Sequence, residues 1–322
     1  MDVYSDVFAA LRLEAGLYFT ARLKGDFAVS LDAERRRIRF HHVLEGSCFV
    51  TVPGQEQVCL SPGDLALIPD GAPQTLSSSP GVNAALPLGD VLARSPPVEG
   101  VLSLGEAGPL CRLLCGFLRF DEALDHPVLA SLPPLVVLRS SDGPGSSVIS
   151  AALALLSAEA GGSGPPQASI VQRVVEILLM QTVRAGFAAA PPSAGGFSLA
   201  LTDPRLAKAL AAIHARPEAE WEVGGLAAVA GMSRSRFARL FTVTVGLAPM
   251  AYLTQWRMIK ARELLTRPGL DMAEIAARCG YVSVPAFSRR FVATFGIGPG
   301  EWRKTERSAV KSPARPQPFP IP

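Results

Sequence analysis

The chain has 322 residues, 48% hydrophobic and 18% charged, long enough for two or three domains, and no apolar run approaches the ~20 residues that span a bilayer. No basic segment followed by an apolar run opens it, so a soluble cytoplasmic protein without a membrane partner is expected. The net charge of +3 conceals two unlike parts, with 13 Lys/Arg against 19 Asp/Glu in residues 1–202 and 16 against 9 in residues 203–307; an acidic module joined to a basic one suggests that the second meets a polyanion.

In chain order, short β-type runs come first, at Phe27 to Leu31, Ile38 to Leu44, Cys48 to Val52, Gln57 to Leu60 and Leu65 to Ile68. Turn residues such as Pro53-Gly54 and Ser61-Pro62-Gly63-Asp64 separate them, as in a compact antiparallel sandwich or barrel. The five cysteines (Cys48, Cys59, Cys111, Cys115, Cys279) form no Cys-x-x-Cys pair, so reduced thiols are expected. Cys111 and Cys115 are spaced to share one side of a helix as a redox pair, but core thiols are the commoner case.

From Val148 the pattern turns helical, over Val148 to Ala160 and Ser169 to Phe187, where Ile170, Val174, Ile177, Leu178 and Gln181 recur at three- and four-residue intervals. Their broad apolar faces predict a homodimer contact. Gly, Pro and Ser concentrate in breaks at Ser140 to Ser147, Gly161 to Pro166 and Ala188 to Gly196, the last reading as a flexible linker where the charge changes sign. The division expected is 1–187 for an acidic module of strands and two helices that also dimerises, 188–202 for the linker, 203–307 for the basic module and 308–322 for a proline-rich disordered tail.

The basic part repeats itself. Leu226-Ala227-Ala228-Val229-Ala230-Gly231 is echoed by Ile275-Ala276-Ala277-Arg278-Cys279-Gly280, and the Ser233, Phe237, Arg239, Phe241 spacing by Ser283, Phe287, Arg289, Phe291. Gly246-x-x-Pro249 and Gly296-x-x-Pro299 follow at equal distances. Each unit reads as two helices joined by a tight turn, with small Ala residues allowing close approach, Gly ending the first helix and Ser233 or Ser283 capping the second. The paired Phe residues, four apart, share a buried face. That leaves Arg234, Ser235, Ala238 and Arg239 outward in the first copy, and Val284, Pro285, Ser288 and Arg289 in the second. Such a helix suits a major groove, where Arg can bond guanine O6 and N7. Pro249 to Leu265 reads as an amphipathic strut about 25 Å long at 1.5 Å per residue, able to hold the readers near one DNA turn (~34 Å) apart.

With Ala273-Glu274-Ile275-Ala276-Ala277-Arg278-Cys279-Gly280-Tyr281 and Phe287-Ser288-Arg289-Arg290-Phe291, residues 203–304 resemble the DNA-binding domain of the AraC/XylS transcription regulators. The resemblance implies seven helices, contact with two adjacent major-groove segments of promoter or operator DNA, and base reading by Ser235, Ala238, Arg239, Pro285, Ser288 and Arg289. Ala238 and Pro285 donate no side-chain hydrogen bond, so direct readout should be sparse. RNA polymerase is a further candidate partner of such a regulator.

Phe40-His41-His42-Val43-Leu44-Glu45-Gly46 and Pro62-Gly63-Asp64-Leu65-Ala66-Leu67-Ile68-Pro69-Asp70-Gly71 resemble the cupin-type sensor domain of part of that family. The implied fold class is α+β in two domains: a cupin-like β-barrel with two following helices, then an all-α domain with two helix-turn-helix units. At the metal positions of enzymatic cupins stand Arg39, residues near Ala33 and Arg35, and Gln74, so no metal or other cofactor is expected. His41 and His42, adjacent on a strand, should point to opposite faces and not share an ion. Arg39 and His41 share strand parity and Gln74 replaces a histidine, making these three the candidate polar groups of a pocket for a small-molecule effector. The competing reading is that they satisfy one another in a closed core. An enzyme, either a cupin oxygenase or a hydrolase, is the runner-up function, disfavoured by four histidines, no phosphate-cradling loop and no Gly-x-Ser-x-Gly elbow. A nucleoid-type binder is disfavoured by the large patterned acidic half.

Overall fold

The computed structural model describes residues 3–11, 13–34, 37–81, 84–120, 132–140, 147–161, 167–189 and 197–311. Residues 190–196 of the expected linker, the tail beyond 311 and most of the Gly/Pro/Ser breaks at 141–146 and 162–166 lie outside the described residues. The chain divides into two compact units, one built from residues 13–121 and 132–185 and the other from the N-terminal segment and residues 186–318.

The first unit contains the strands β1 (Glu14–Lys24), β2 (Ala28–Leu31), β3 (Arg37–Glu45), β4 (Cys48–Thr51), β5 (Val58–Leu60), β6 (Leu65–Ile68), β7 (Gln74–Ser77), β8 (Leu86–Pro87), β9 (Val101–Leu104), β10 (Leu110–Arg119) and β11 (Val136–Leu138). They form two sheets, in the orders β11-β6-β3-β10-β1-β9 and β5-β4-β7-β2-β8. One core is shared between the sheets, with Phe19, Leu23, Val43, Leu113 and Cys115 from the first and Val29, Val50, Leu60 and Leu76 from the second. Three helices accompany them, α2 (Leu88–Arg94), α3 (Ser147–Gly161) and α4 (Ala168–Ala189), the last two matching the two helices expected after the barrel.

The turns carry the chain between sheets. Gly46 links β3 to β4 at φ +71°, and a Cβ there would lie 2.1 Å from the Leu110 carbonyl oxygen, so only glycine fits. At the Pro62-Gly63-Asp64 turn the buried Asp64 carboxylate accepts from the Ser61 N–H at 2.9 Å and the Ser140 N–H at 3.1 Å, and pairs with Arg139 at 2.7 Å. One turn residue thereby ties β6 to the chain after β11.

Cys111 and Cys115 lie on strand β10, not on a helix. β10 is central in its sheet, pairs with both β1 and β3, and is buried along most of its length. A strand buried on both faces reads as a continuous apolar run whose periodicity does not distinguish it from a helix. Residues four apart on a strand share a face, but at ~3.3 Å per residue they are about 13 Å apart, beyond the ~4.4–6.8 Å Cα window of a disulfide. The Cys111–Cys115 pairing is therefore withdrawn.

The second unit joins α1 (Val3–Leu11) to α5 (Phe197–Thr202), α6 (Pro204–Ala215), α7 (Val223–Val229), α8 (Arg234–Val245), α9 (Pro249–Thr266), α10 (Met272–Arg278), α11 (Val284–Phe295) and α12 (Pro299–Lys311). The seven helices from α6 to α12 correspond to those implied for the DNA-binding domain. α5 falls within the expected linker and α12 runs into the expected tail. The buried Phe197 of α5 stacks on Tyr252 with centroids 5.9 Å apart. α1 buries Val3, Val7 and Phe8 and packs on α6 and α9, with Asp6 3.5 Å from His214.

α9 is not the one-sided strut expected. It buries Tyr252, Leu253 and Trp256 and also Met258, Ala261, Leu264 and Leu265. Its first half meets His214 and Phe241 through aromatic contacts, while its second half joins the core of Ile275, Phe287 and Phe291. A helix packed between two helical hairpins loses a polar face because both sides are covered.

Candidate nucleic-acid interface and barrel interior

Each helix nominated for reading DNA is set by a turn and a buried aromatic pair. α7 ends at Gly231 (φ +64°), with the Met232 N–H donating to Ala227 O at 2.9 Å, and α10 ends at Gly280 (φ +74°), with the Tyr281 N–H donating to Ala276 O at 2.9 Å. Both are helix-terminating motifs that need a left-handed residue. Ser283 caps α11, its Oγ accepting from the Ala286 N–H at 3.4 Å. Ser233 holds the same backbone position before α8 but makes no side-chain cap, a correction to the capping role assigned to it; its site is exposed, where a helix start does not depend on a protein partner.

Phe237 and Phe241 are fully buried with ring centroids 5.5 Å apart, and Phe287 and Phe291 with centroids 5.8 Å apart. This anchors one face of each of the two helices. On the other face of α8, Arg234, Ser235 and Arg239 are exposed and Ala238 is half-buried; on α11, Pro285 and Arg289 are exposed and Val284 and Ser288 half-buried. All eight nominated positions are thus accessible on the two helices. Sequence reasoning overlooked Val282, a fully exposed apolar residue in the turn before α11, and Arg236, also exposed on α8. A valine at the tip of a turn leaves no periodic signal.

Arg257 of α9 supports the second turn. Its guanidinium donates to Pro217 O at 2.7 Å and Ala219 O at 2.9 Å, and a Cβ on Gly280 would lie 2.5 Å from it. Burial lowers the Arg257 pKa, with Tyr281 among the groups that oppose the shift. Nearby, the buried Arg262 lies 5.1 Å from the ring centroids of both Phe295 and Trp302, a cation–π contact that compensates part of its lost hydration.

In the barrel, His41 and His42 diverge as strand alternation requires. His41 faces inward, its Nε2 2.7 Å from Gln74 Nε2 and its Nδ1 3.2 Å from Cys115 Sγ. His42 faces α3, its Nε2 2.7 Å from Ser157 Oγ and its Nδ1 3.1 Å from Asp64 O. Burial pulls His41 down to about 3 and His42 to about 4, so both are neutral at physiological pH. Among the described residues no group of three or more His, Cys, Asp or Glu side chains is arranged to hold a metal ion.

The three nominated effector residues are all buried, and two of them touch. Arg39 Nε donates to Glu34 Oε2 at 3.1 Å, and Glu34 also binds Arg37 and the Tyr18 hydroxyl. Burial, then the Glu34 hydrogen bond, raises Tyr18 to about 12. Arg37 lies 4.4 Å over the Phe117 ring. Glu34 and Tyr18 escaped sequence reasoning because their meeting depends on the β1 to β3 packing. Two polar atoms of the set, Arg39 Nη1 and Gln74 Oε1, are buried without a hydrogen-bond partner among the described residues.

Comparison with known proteins agrees with both units. A protein-family model described as Cupin matches residues 2–188, and one described as Helix-turn-helix domain matches residues 226–305. A putative AraC-like transcription regulator from Streptomyces lividans is 32% identical over 94% of this chain and 98% of its own length. The HTH-type transcriptional regulator AlkR of Acinetobacter baylyi is 31% identical over 94% and 99%. The DNA-binding domain of AdpA, solved in complex with a target DNA, is 32% identical, covering 34% of this chain and 96% of that one with a TM-score of 0.31. With an N-terminal cupin domain, a C-terminal helix-turn-helix domain and relatives matched along nearly their whole length, the chain belongs to the AraC family of DNA-binding transcription regulators.

Proposed function

We propose that the protein recognises a specific promoter or operator sequence with α8 and α11 and that a small organic effector in the cupin barrel controls the outcome. The observation that carries the DNA reading is the repeated helix pair, each copy anchored by two buried Phe rings and offering an exposed Arg at the equivalent position, Arg239 and Arg289. Both sit in the basic part of the chain. Bidentate Arg–guanine bonding is worth about 1–3 kcal/mol of base discrimination. Arg239→Ala and Arg289→Ala are each expected to cost that much at the specific site and relax base choice locally, with smaller loss on random DNA. Gel shifts of the full chain on its own promoter region against random duplex measure this. Equal loss on both DNAs would make the arginine a phosphate contact. Affinity should also fall steeply with salt, as phosphate contacts release counterions. A protein that works on promoter DNA is expected to act in the cytoplasm, and a transcription assay with RNA polymerase reads whether occupancy raises or lowers transcript.

The effector reading rests on Arg39 Nη1 and Gln74 Oε1, one donor and one acceptor, buried beside the His41–Gln74 contact. A ligand carrying a complementary acceptor and donor would satisfy both, and buried polar groups left unmatched cost about 1–3 kcal/mol each. The site needs no metal and no catalysis, in keeping with relatives named as regulators. In a metabolite screen by thermal shift, a ligand at 100 times its dissociation constant should stabilise the fold by about 2.7 kcal/mol. Arg39→Ala with Gln74→Ala should abolish that shift. Persistence of the shift in the double variant would move the site elsewhere, and stoichiometric chelator-removable iron, zinc or manganese would overturn the metal-free reading.

A homodimer through α3 and α4 completes the proposal. These helices bury Leu153, Leu156, Val171, Val174, Val175, Leu178 and Leu179 yet leave Val148, Leu155, Ile177 and Met180 exposed. An apolar set beyond what the barrel covers suits a self-complementary two-fold contact. Light scattering at micromolar concentration should give twice the chain mass, reduced to one by Leu155→Glu with Ile177→Glu; a monomeric parent protein would refute it.

A further inference from the structure

Aligned on Ser233 and Ser283, the two helix-turn-helix copies share an anchored face but differ on the exposed one. In the first copy the positions that follow one another at helical spacing are Met232, Ser235, Arg239 and Thr242; in the second they are Val282, Pro285, Arg289 and Val292. The arginine is common to both. Around it the first copy sets two exposed hydroxyls and a half-buried Met232, whereas the second sets three carbon-only side chains, all exposed. Val282 is the extreme case, with a relative exposure of 101% against 44% for Val292. It is also held in place. On one side the Tyr281 N–H donates to Ala276 O at 2.9 Å, and the Tyr281 ring packs edge-on against Phe287 with centroids 5.8 Å apart. On the other, the Ser283 Oγ accepts from the Ala286 N–H and caps α11. With both neighbours pinned, the Val282 side chain, β-branched and stiff at χ1, is presented to solvent at the start of α11. Val284 is placed differently, packed against the core that holds Phe287 and Phe291.

We propose that Val282, with Pro285 on the same face, contacts the C5-methyl group of thymine in the major groove, so that the half-site met by α11 carries a thymine close to the guanine bonded by Arg289. This rests on the proposed reading of DNA by α8 and α11 and extends it to a residue outside the eight nominated positions. A recognition helix touches base edges with its N-terminal residues, and thymine is the one base whose major-groove edge offers an apolar group. A valine or proline there forms no side-chain hydrogen bond, so it gains from a methyl and nothing from cytosine, whose C5 carries only hydrogen. The step from Ser283 to Arg289 covers about 9 Å of helix at 1.5 Å per residue. Base pairs stack every ~3.4 Å, which sets the thymine within about four base pairs of the guanine. The half-site met by α8 lacks this demand at the matching position, where Met232 is half-buried.

The test uses the full chain and the site it footprints in its own promoter region. Each thymine of that site is replaced in turn by deoxyuridine, which removes the methyl and leaves base pairing intact. At one position the replacement should weaken binding about fourfold, the equivalent of the ~0.8 kcal/mol assigned to a buried CH2 group. That position should lie within about four base pairs of the guanine at which Arg289→Ala relaxes base choice. Val282→Ser should bind the thymine duplex about as weakly as the parent protein binds the uracil one, and should be indifferent to the replacement. Because Val282 is fully exposed, the variant should fold like the parent. Uracil tolerated at every thymine of the site, or an equal uracil penalty in the parent protein and in Val282→Ser, would overturn the proposal. Failure of the full chain to retard any duplex from its promoter region would instead defeat the DNA reading on which it rests.

Discussion

Phe287→Ala is expected to destabilise the helical domain by about 3–5 kcal/mol and to abolish specific DNA binding, although its side chain cannot touch DNA. Phe287 is fully buried, its ring centroid 5.8 Å from both Tyr281 and Phe291, in a core completed by Ile275, Met258 and Trp302. Truncation removes the ring's burial and leaves a cavity that the surrounding helices fill only in part. Domains are stable by roughly 5–15 kcal/mol, so the loss takes a large share of the total and frees α11 from its bed. Arg289, two residues on and exposed, is the matched control: Arg289→Ala should leave the denaturation midpoint within the small range of surface substitutions while weakening specific binding. All three tryptophans, Trp221, Trp256 and Trp302, lie in this domain, so denaturant unfolding followed by tryptophan fluorescence reads it selectively. A midpoint for Phe287→Ala equal to that of the parent protein would contradict the anchoring role.

The parts of this arrangement visible in the sequence are those whose partners are close in sequence. The Ser, Phe, Arg, Phe spacing with its preceding Ala pair and Gly specifies a hairpin and its outward face from local geometry, and the eight nominated positions lie on accessible parts of those two helices. Strand parity likewise separated His41 from His42. What could not be read depends on long-range pairing. Glu34 sits before an arginine run that looks like a solvated surface, yet it gathers Tyr18, Arg37 and Arg39 because β1 and β3 both pair with β10. β10 itself was hidden by burial on both faces. α9 misled because its sequence was weighed as if one side met solvent, when both helical hairpins cover it.

Acid is expected to destabilise the barrel progressively from about pH 6.5 towards pH 4, and the cause lies in the two adjacent histidines. Burial holds His41 at about 3, aided by the positive charge of Arg39, and His42 at about 4, against the opposing influence of Asp64. In the unfolded chain each returns to about 6.5. Between about 6.5 and the folded values the unfolded state therefore binds more protons than the native one, and stability falls as pH is lowered through that window. The contribution is fully present above about pH 7 and is lost progressively toward pH 4. At about 1.4 kcal/mol per pKa unit, the two sites together amount to several kcal/mol, comparable to the margin of a small domain. Among the described residues the helical domain has no adjacent pair of buried histidines, so its tryptophan-reported transition should move less over the same range. Thermal unfolding of the full chain from pH 7.5 to 4.5, with β-sheet circular dichroism followed beside tryptophan fluorescence, separates the two. His41→Gln keeps an amide nitrogen near Gln74, and His42→Asn keeps one near Asp64 O; each should flatten the pH dependence of the barrel transition, whatever it does to the plateau at pH 7.5. A barrel transition that does not shift between pH 7 and 4.5, or one that shifts equally in the parent protein and both variants, would show that neither histidine is held neutral by the fold.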